Sequence, residues 1–176
     1  KLGAALARSI TRGPHNAAAA RLRFRYNGTM RIRPLELRDR QAWAAMRAEL
    51  WPEEDPDWLA HETIQHFGGS EIGPAIFIAE DNDARPVGFL ELALRAYAEG
   101  CETSPVPFIE GWYVSPLARF QGVGRRLVEA AENWARIRGF REIGSDTQLS
   151  NAASQEAHAK LGFEEAERIV AYRKPL

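Results

Sequence analysis

Apolar and polar positions along this chain follow two periods, and the switches between them lay out its elements. Met30-Arg31-Ile32-Arg33-Pro34-Leu35 alternates with the period of a strand. Asp39 then reads as the N-cap of a helix whose Ala42, Trp43, Met46 and Leu50 share one apolar stripe, ended by Trp51-Pro52. Acids from Glu53 to Asp57 precede a second helix with Pro56 in its first turn, Ile64 and Phe67 for packing, and Gly68-Gly69 as its stop. Ala75 to Ala79 and Val87 to Leu94 are strand-like and flank a turn-like Glu80-Asp81-Asn82-Asp83, which predicts a hairpin. A strand from Pro107 to Val114 follows, then a helix carrying Val123, Leu127, Ala130, Trp134 and Ile137 at helical spacing. A short strand over Glu142 to Asp146, a helix from about Ala152 to Leu161 stopped by Gly162, and strand material at Phe163 and Ile169 to Arg173 complete the order β-α-α-β-β-β-α-β-α-β.

At 176 residues, 45% of them hydrophobic, the chain has room for one compact domain burying roughly two-thirds of its unfolded surface. No apolar run approaches the ~20 residues of a membrane span, and the lone Cys101 has no partner for an internal disulfide. A reducing, cytoplasmic setting without a membrane is expected. His15, His61 and His66 lack metal-ligand spacing with other donors, so no metal is expected.

The formal net charge of -1 hides an asymmetry. Residues 1–29 hold six of the 23 basic residues and no acid, which leaves 17 basic against 24 acidic residues, a formal -7, from Met30 onward. An Ala- and Arg-rich front of this kind could be a transit peptide, a nucleic-acid-binding arm or sequence upstream of a natural start. Because the strand pattern opens at Met30, residues 1–29 read as added or non-essential and residues 30–176 as the single domain. An acidic body opposes nucleic-acid binding.

The chemistry concentrates in Arg119-Phe120-Gln121-Gly122-Val123-Gly124-Arg125, between the strand ending at Val114 and the next helix. Glycines permit close backbone approach, and the unpaired N–H groups of a helix start, with about half a positive charge, favour an anion such as a pyrophosphate. A plain strand-to-helix turn would explain two glycines by themselves. A Walker-type loop requires Lys-Ser or Lys-Thr where this chain has Arg125-Arg126, and a dinucleotide fingerprint requires three glycines near a first strand.

The remaining pattern, Arg-x-x-Gly-x-Gly, resembles the acyl-CoA loop of the GNAT superfamily of N-acetyltransferases. The resemblance implies an α/β (α+β) fold with a central mixed, twisted sheet flanked by helices. It also implies acetyl-CoA as cosubstrate and direct acetyl transfer to an amine. The implied cofactor contacts are Trp112, Tyr113 and Val114 for the pantetheine arm, Arg119, Phe120, Gln121, Gly122, Val123, Gly124 and Arg125 for the pyrophosphate, and Asn151 at the head of the following helix.

Leu50-Trp51-Pro52, Gly100-Cys101 with Ser104-Pro105-Val106, Glu110-Gly111, Ser145-Asp146-Thr147, and the run from Leu161 to Arg168 with Tyr172-Arg173-Lys174 together resemble the aminoglycoside 6′-N-acetyltransferases. That likeness implies acetylation of an antibiotic 6′-amine, a role in antibiotic resistance and a homodimer. It assigns Trp51, Tyr97, Glu110, Asp146 and Glu167 to the substrate. Charge agrees, since a carboxylate–ammonium contact near 4 Å is worth about 4 kcal/mol at an effective dielectric of 20 before desolvation, and an acidic body speeds encounter with a polycation.

Each acid could equally be solvated surface charge, and Trp51 and Tyr97 could be packing residues. Glu110 and Asp146 interrupt strand-like runs, where an unpaired carboxylate is costly unless it faces a cleft. Asp146 first, or Glu110, is the candidate acceptor of the amine's proton. Where many GNAT members have a proton-donating tyrosine, four residues before Gly162, this chain has His158. Its reference pKa of about 6.5, against about 8.5 for a thiol, allows proton donation to the departing thiolate. A structural histidine serves the pattern equally well. Ser154 and His158 at helical spacing do not make a hydrolytic triad without a nucleophile elbow. Acetylation of polyamine or peptide amines, and a non-catalytic acyl-CoA-binding module, stay open as alternatives.

Overall fold

The structure, a computed structural model, describes residues 30–69 and 73–175; the expectations for residues 1–29 lie outside them. The elements run β1 (Arg31–Pro34), α1 (Arg40–Leu50), α2 (Pro56–Phe67), β2 (Ala75–Glu80), β3 (Pro86–Arg95), β4 (Val106–Val114), α3 (Val123–Ile137), β5 (Gly144–Ser145) and α4 (Ala152–Lys160). Five strands form one mixed sheet in chain order: β1 to β4 pair antiparallel, and β5 lies parallel to β4 after the α3 crossover.

Strand alternation divides the core between the two faces. Ile76, Ile78, Phe89 and Tyr113 project to the face covered by Trp43 and Met46 of α1. Phe77, Leu90, Leu92 and Ile109 project to the other face, where Val123, Leu127, Val128 and Ala131 of α3 pack. Fully burying a side chain such as Leu127 or Phe89 contributes about 1.5–3 kcal/mol.

Several expected details differ. The buried stripe of α3 is Val123, Leu127, Val128, Ala131 and Ala135, and Ile137 is exposed. Ala130 and Trp134 are half-buried against the edge of that core, and Trp134 also stacks on Phe140 at 6.0 Å. Helix α2 buries Leu59 and Thr63 while Ile64 stays exposed, and its cap is Asp55, which accepts the Asp57 N–H at 2.9 Å. Asp39 does occupy the residue before α1, but its carboxylate makes no cap bond there. It accepts two hydrogen bonds from Arg33 of β1, at 2.5 and 2.7 Å, and one from the Glu36 N–H at 2.9 Å. The expected last strand is absent: residues 163–175 join no ladder, and Ile169, Val170 and Tyr172 are exposed. The edge of the sheet beyond β4 is β5, only two residues long, and these residues form no ladder with it.

Candidate active site

The site begins where β4 leaves regular pairing. Glu91 of β3 faces Gly111 and the next residue, Leu92, faces Ile109, so Glu110 is an extra residue in β4. A bulge of this kind re-aims a side chain and bends its strand. On the other side, β5 pairs with β4 only at Phe108–Gly144 and Ile109–Ser145, leaving Glu110 to Val114 without a neighbouring strand there. The Ser115 N–H donates to the Val87 carbonyl at 2.9 Å. By antiparallel alternation, Tyr113 and Gly111 then bond to β3, while Trp112 and Val114 turn their backbone groups toward the open side. The Tyr113 ring lies against Phe89 on the α1 face and its hydroxyl donates to Glu49, so only the outer two of the three expected pantetheine residues offer backbone there.

Beyond Val114 the chain turns through a 3-10 segment, Pro116–Ala118, and enters α3 at Gly122. The Arg119 side chain doubles back to donate to the Val114 carbonyl at 2.9 Å, and Gln121 donates to the Leu117 carbonyl at 2.8 Å. Phe120, at φ 61°, is fully exposed. The first hydrogen bond of α3 runs from the Arg126 N–H to the Gly122 carbonyl at 3.1 Å. The amides of Val123, Gly124 and Arg125 therefore precede any intrahelical acceptor, at the positive end of a 15-residue helix.

The two glycines have different reasons. Gly122 sits at φ 80°, and the space where its Cβ would project is empty to 4 Å, so it provides the left-handed turn beside an open cradle. A Cβ on Gly124 would lie 2.9 Å from Cζ2 of Trp112, so here the missing side chain lets α3 seat on β4. Arg125 reaches across to 3.5 Å from the Lys160 carbonyl at the end of α4, joining the two helices that flank the opening.

The acids gather around a cation that sequence reasoning missed. Arg95, at the end of β3, donates to both carboxylate oxygens of Glu110, at 2.8 and 2.7 Å, and its Nη1 is 4.0 Å from Oδ2 of Asp146. Its guanidinium lies 3.4 Å from the centre of the Phe108 ring. Glu110 thus has both oxygens engaged, whereas the Asp146 side chain is 77% exposed. Desolvation raises the Asp146 pKa above the ordinary carboxylate value; Arg95 and His158 oppose the rise, and Glu110 and Glu99 add to it.

Trp51, which follows α1, lies over Gly111: a Cβ at that glycine would be 2.9 Å from the indole Cη2. Behind it Arg47 stacks on both Trp43 and Trp51 at 5.1 Å, donates to Glu62 at 2.7 Å and sits 3.2 Å from Glu91. Burial pushes Glu91 up to about 7, against the pull of Arg47 and the Trp43 N–H. This buried group, also unforeseen, fixes the floor under Trp51. Tyr97 is 67% exposed in the β3–β4 connection. Glu167 is exposed on the C-terminal segment, which passes that connection where Gly100 admits Ala166; a Cβ at Gly100 would be 2.3 Å from that of Ala166.

Asn151 caps α4, accepting the Ser154 N–H at 3.1 Å. His158 points back toward the sheet with its ring edge-on to Trp112 and Phe163. Its Nδ1 meets the Ser154 carbonyl at 2.7 Å and therefore donates there, and its Nε2 shares a hydrogen bond of 2.9 Å with the Ser145 hydroxyl. Ser145 is the last residue of β5 paired to β4; it lies in the Ser145-Asp146-Thr147 block, which gave it no role of its own. Among the described residues no cluster of three metal-ligating side chains forms, and no helix is long and apolar enough to cross a membrane.

The profile of the Acetyltransferase (GNAT) family matches residues 41–163. Aminoglycoside N(6′)-acetyltransferase type 1 of Klebsiella aerogenes is 47% identical over 146 residues, covering 82% of this chain and 96% of the relative. The enzyme of the same description from Stenotrophomonas maltophilia is 43% identical over 82% of this chain and 93% of its own length. Among solved structures, AAC(6′)-Iy in complex with the bisubstrate analogue CoA-S-monomethyl-acetylneamine superposes with a TM-score of 0.76 at 36% identity, covering 84% of this chain and 99% of the other. The aminoglycoside 6′-N-acetyltransferase AAC(6′)-Ih from Acinetobacter baumannii gives 0.75 at 33% identity, covering 84% and 99%.

Proposed function

This chain belongs to the GNAT acetyltransferase family, and from that premise we propose that it moves the acetyl group of acetyl-CoA onto the 6′-amine of aminoglycoside antibiotics, in a ternary complex and as a resistance activity. One observation carries the reading: the open edge of β4 runs from the helix start at Gly122, with its unpaired amides, to a carboxylate cluster at the Glu110 bulge. The first suits a coenzyme and the second a polycation, and the reacting groups would meet between them.

The residues fit acetyl-CoA. The amides of Val123, Gly124 and Arg125, beside the empty space at Gly122, would receive the diphosphate. The outward backbone groups of Trp112 and the N–H of Val114, whose carbonyl already accepts from Arg119, would pair with the pantetheine as an added strand does. The bound coenzyme supplies the activated acetyl thioester. On the substrate side, Trp51 would form one wall and Asp146 would meet an ammonium, with Tyr97 and Glu167 reaching it from the β3–β4 connection and the C-terminal segment. The amine attacks only as the free base, and Asp146 is the carboxylate with an oxygen to spare for its proton.

His158 is less suited to the acid role than its position suggests. With Nδ1–H committed to the Ser154 carbonyl, only Nε2 could carry a proton toward a thiolate, and that atom is taken up by the Ser145 hydroxyl 2.9 Å away. His158→Gln should lower kcat by less than about tenfold, below the range of about 10²–10⁴ typical of a lost general acid. A larger fall, measured by CoA release with the fold intact by circular dichroism, would restore the donor role.

CoA release with kanamycin, with an aminoglycoside lacking a free 6′-amine, with spermidine and with a lysine peptide tests the function. Turnover with kanamycin alone is expected. Turnover with spermidine or the peptide at comparable kcat/KM, or CoA binding without release for every amine, would overturn it. We further propose a homodimer, supported by the exposed Ile169, Val170 and Tyr172 on an unpaired C-terminal segment; a monomer mass by light scattering at micromolar concentration would exclude it. A cytoplasmic setting agrees with the single free thiol, Cys101, and is checked by cell fractionation.

A further inference from the structure

We propose that Arg95 is a positioning residue that divides labour between the two acids, holding Glu110 away from the substrate and keeping Asp146 ionised to receive the amine's proton. This rests on the acetylation reading above and assigns the regulation of that same site.

A cluster built only of carboxylates would bind ammonium groups well and catalyse poorly. Like charges favour protonation of one member, and uncompensated acids stabilise the substrate amine in its unreactive charged form. The geometry around Arg95 answers both problems. Its planar fork engages both Glu110 oxygens, a bidentate pairing a lysine cannot reproduce. A third nitrogen stands 4.0 Å from Asp146, close enough to favour its ionised form without covering it. The Phe108 ring at 3.4 Å backs the guanidinium, so Arg95 is held by Glu110, Asp146 and Phe108 while its side chain remains 34% exposed. The groups facing Asp146 are Arg95 from β3, Glu110 from β4, Glu99 from the β3–β4 connection and His158 from α4; Arg95 and His158 favour its charge, and the two glutamates oppose it.

The sign follows. Removing the Arg95 charge raises the pKa of Asp146, so the ionised form is lost at higher pH and the acid limb of kcat moves upward. Freeing Glu110 adds a carboxylate for the polycation, so KM falls while kcat falls. Arg95→Gln should move the acid limb up by about one pH unit and lower the kanamycin KM several-fold. Arg95→Lys should keep the limb near that of the parent, because the charge persists, while KM still drops because the fork is gone. A limb unmoved in Arg95→Gln, or a KM that rises in both variants, would overturn the proposal.

The Asp146 carboxyl titration, followed by carbon-13 NMR in the parent and in Arg95→Gln, gives a readout independent of turnover. An upward shift in the variant supports the proposal, and an unchanged midpoint sinks it. Should the parent release no CoA with any aminoglycoside, the functional reading fails by itself and this titration still decides the role of Arg95. If Arg95→Gln does not fold, the Arg95→Lys split between KM and kcat decides.

Discussion

Asp146→Asn should reduce kcat about 10²- to 10³-fold at pH 7, within the range for loss of a positioned general base. The substitution keeps the shape of the side chain and removes only its charge and basicity. Of the two acids at the bulge, Glu110 is tied through both oxygens to Arg95, and Asp146 keeps an oxygen for the incoming amine. Losing that carboxylate also removes one contact to a cationic substrate. At an effective dielectric of 20 such a contact is worth about 4 kcal/mol before desolvation, most of which exposed geometry forfeits, so KM should rise by about tenfold at most. The residual rate should climb with pH, following free amine released in solution instead of a protein group. Glu110→Gln is the internal comparison: its effect on kcat should be smaller because Arg95 already occupies it. Steady-state kinetics from pH 6 to 9 decide the matter. Near-normal turnover of Asp146→Asn at pH 7, or a larger loss in Glu110→Gln, would remove Asp146 from the role.

Those two acids show where sequence reading reached and where it stopped. The sheet was legible because its faces are written in local alternation: Ile76 and Ile78 on one side, Phe77 on the other. The loop was legible because a glycine at a helix start has few reasons to be there, and Gly122 does adopt the left-handed turn that requires it. Gly124 looked equivalent in sequence yet serves Trp112, ten or more residues away on β4, a contact no local pattern encodes. Arg95 was missed for the same reason. An arginine at a strand end reads as solvated charge until the bulge at Glu110 and the β5 register bring two acids to it. Ser145 gains meaning only when α4 returns His158 to within 2.9 Å. Conversely, Ile169 to Arg173 carried strand-forming residues that join no ladder; β5, the edge of the sheet beyond β4, is only two residues long. Period and turn chemistry are properties of neighbours in sequence; the divided roles of acids, and the partners that fix them, are properties of long-range register.

Arg33→Ala should destabilise the fold by about 3–5 kcal/mol at pH 7, the range for breaking a buried ion pair from one side. Arg33 of β1 is 4% exposed and bonds both oxygens of Asp39, at 2.5 and 2.7 Å, while also donating to Glu80 of β2. Without it Asp39 keeps only the Glu36 N–H, and Glu80 keeps only Arg38 at 3.4 Å, itself more than half exposed. The deficit should depend on pH with a definite sign. In the parent, burial alone would raise the Asp39 pKa, but the Arg33 hydrogen bonds win and hold it below the usual carboxylate value; the Arg33 hydrogen bond likewise depresses Glu80. A carboxylate whose folded pKa is depressed contributes stability that is present above its unfolded pKa and lost as pH falls through the folded one. In Arg33→Ala only desolvation and fewer donors remain, so both folded values rise past the unfolded ones and the dependence inverts. Parent and variant should therefore converge as the pH drops from 7 toward about 4, where both acids are half protonated in the unfolded chain. Urea melts at pH 7 and pH 4.5 measure this, and a deficit under 1 kcal/mol, or one constant with pH, would show that the network is not what anchors β1 to the start of α1. Because α1 leads directly into Trp51 at a wall of the site, the same melts repeated with acetyl-CoA present connect this edge of the sheet to the cleft at its other side.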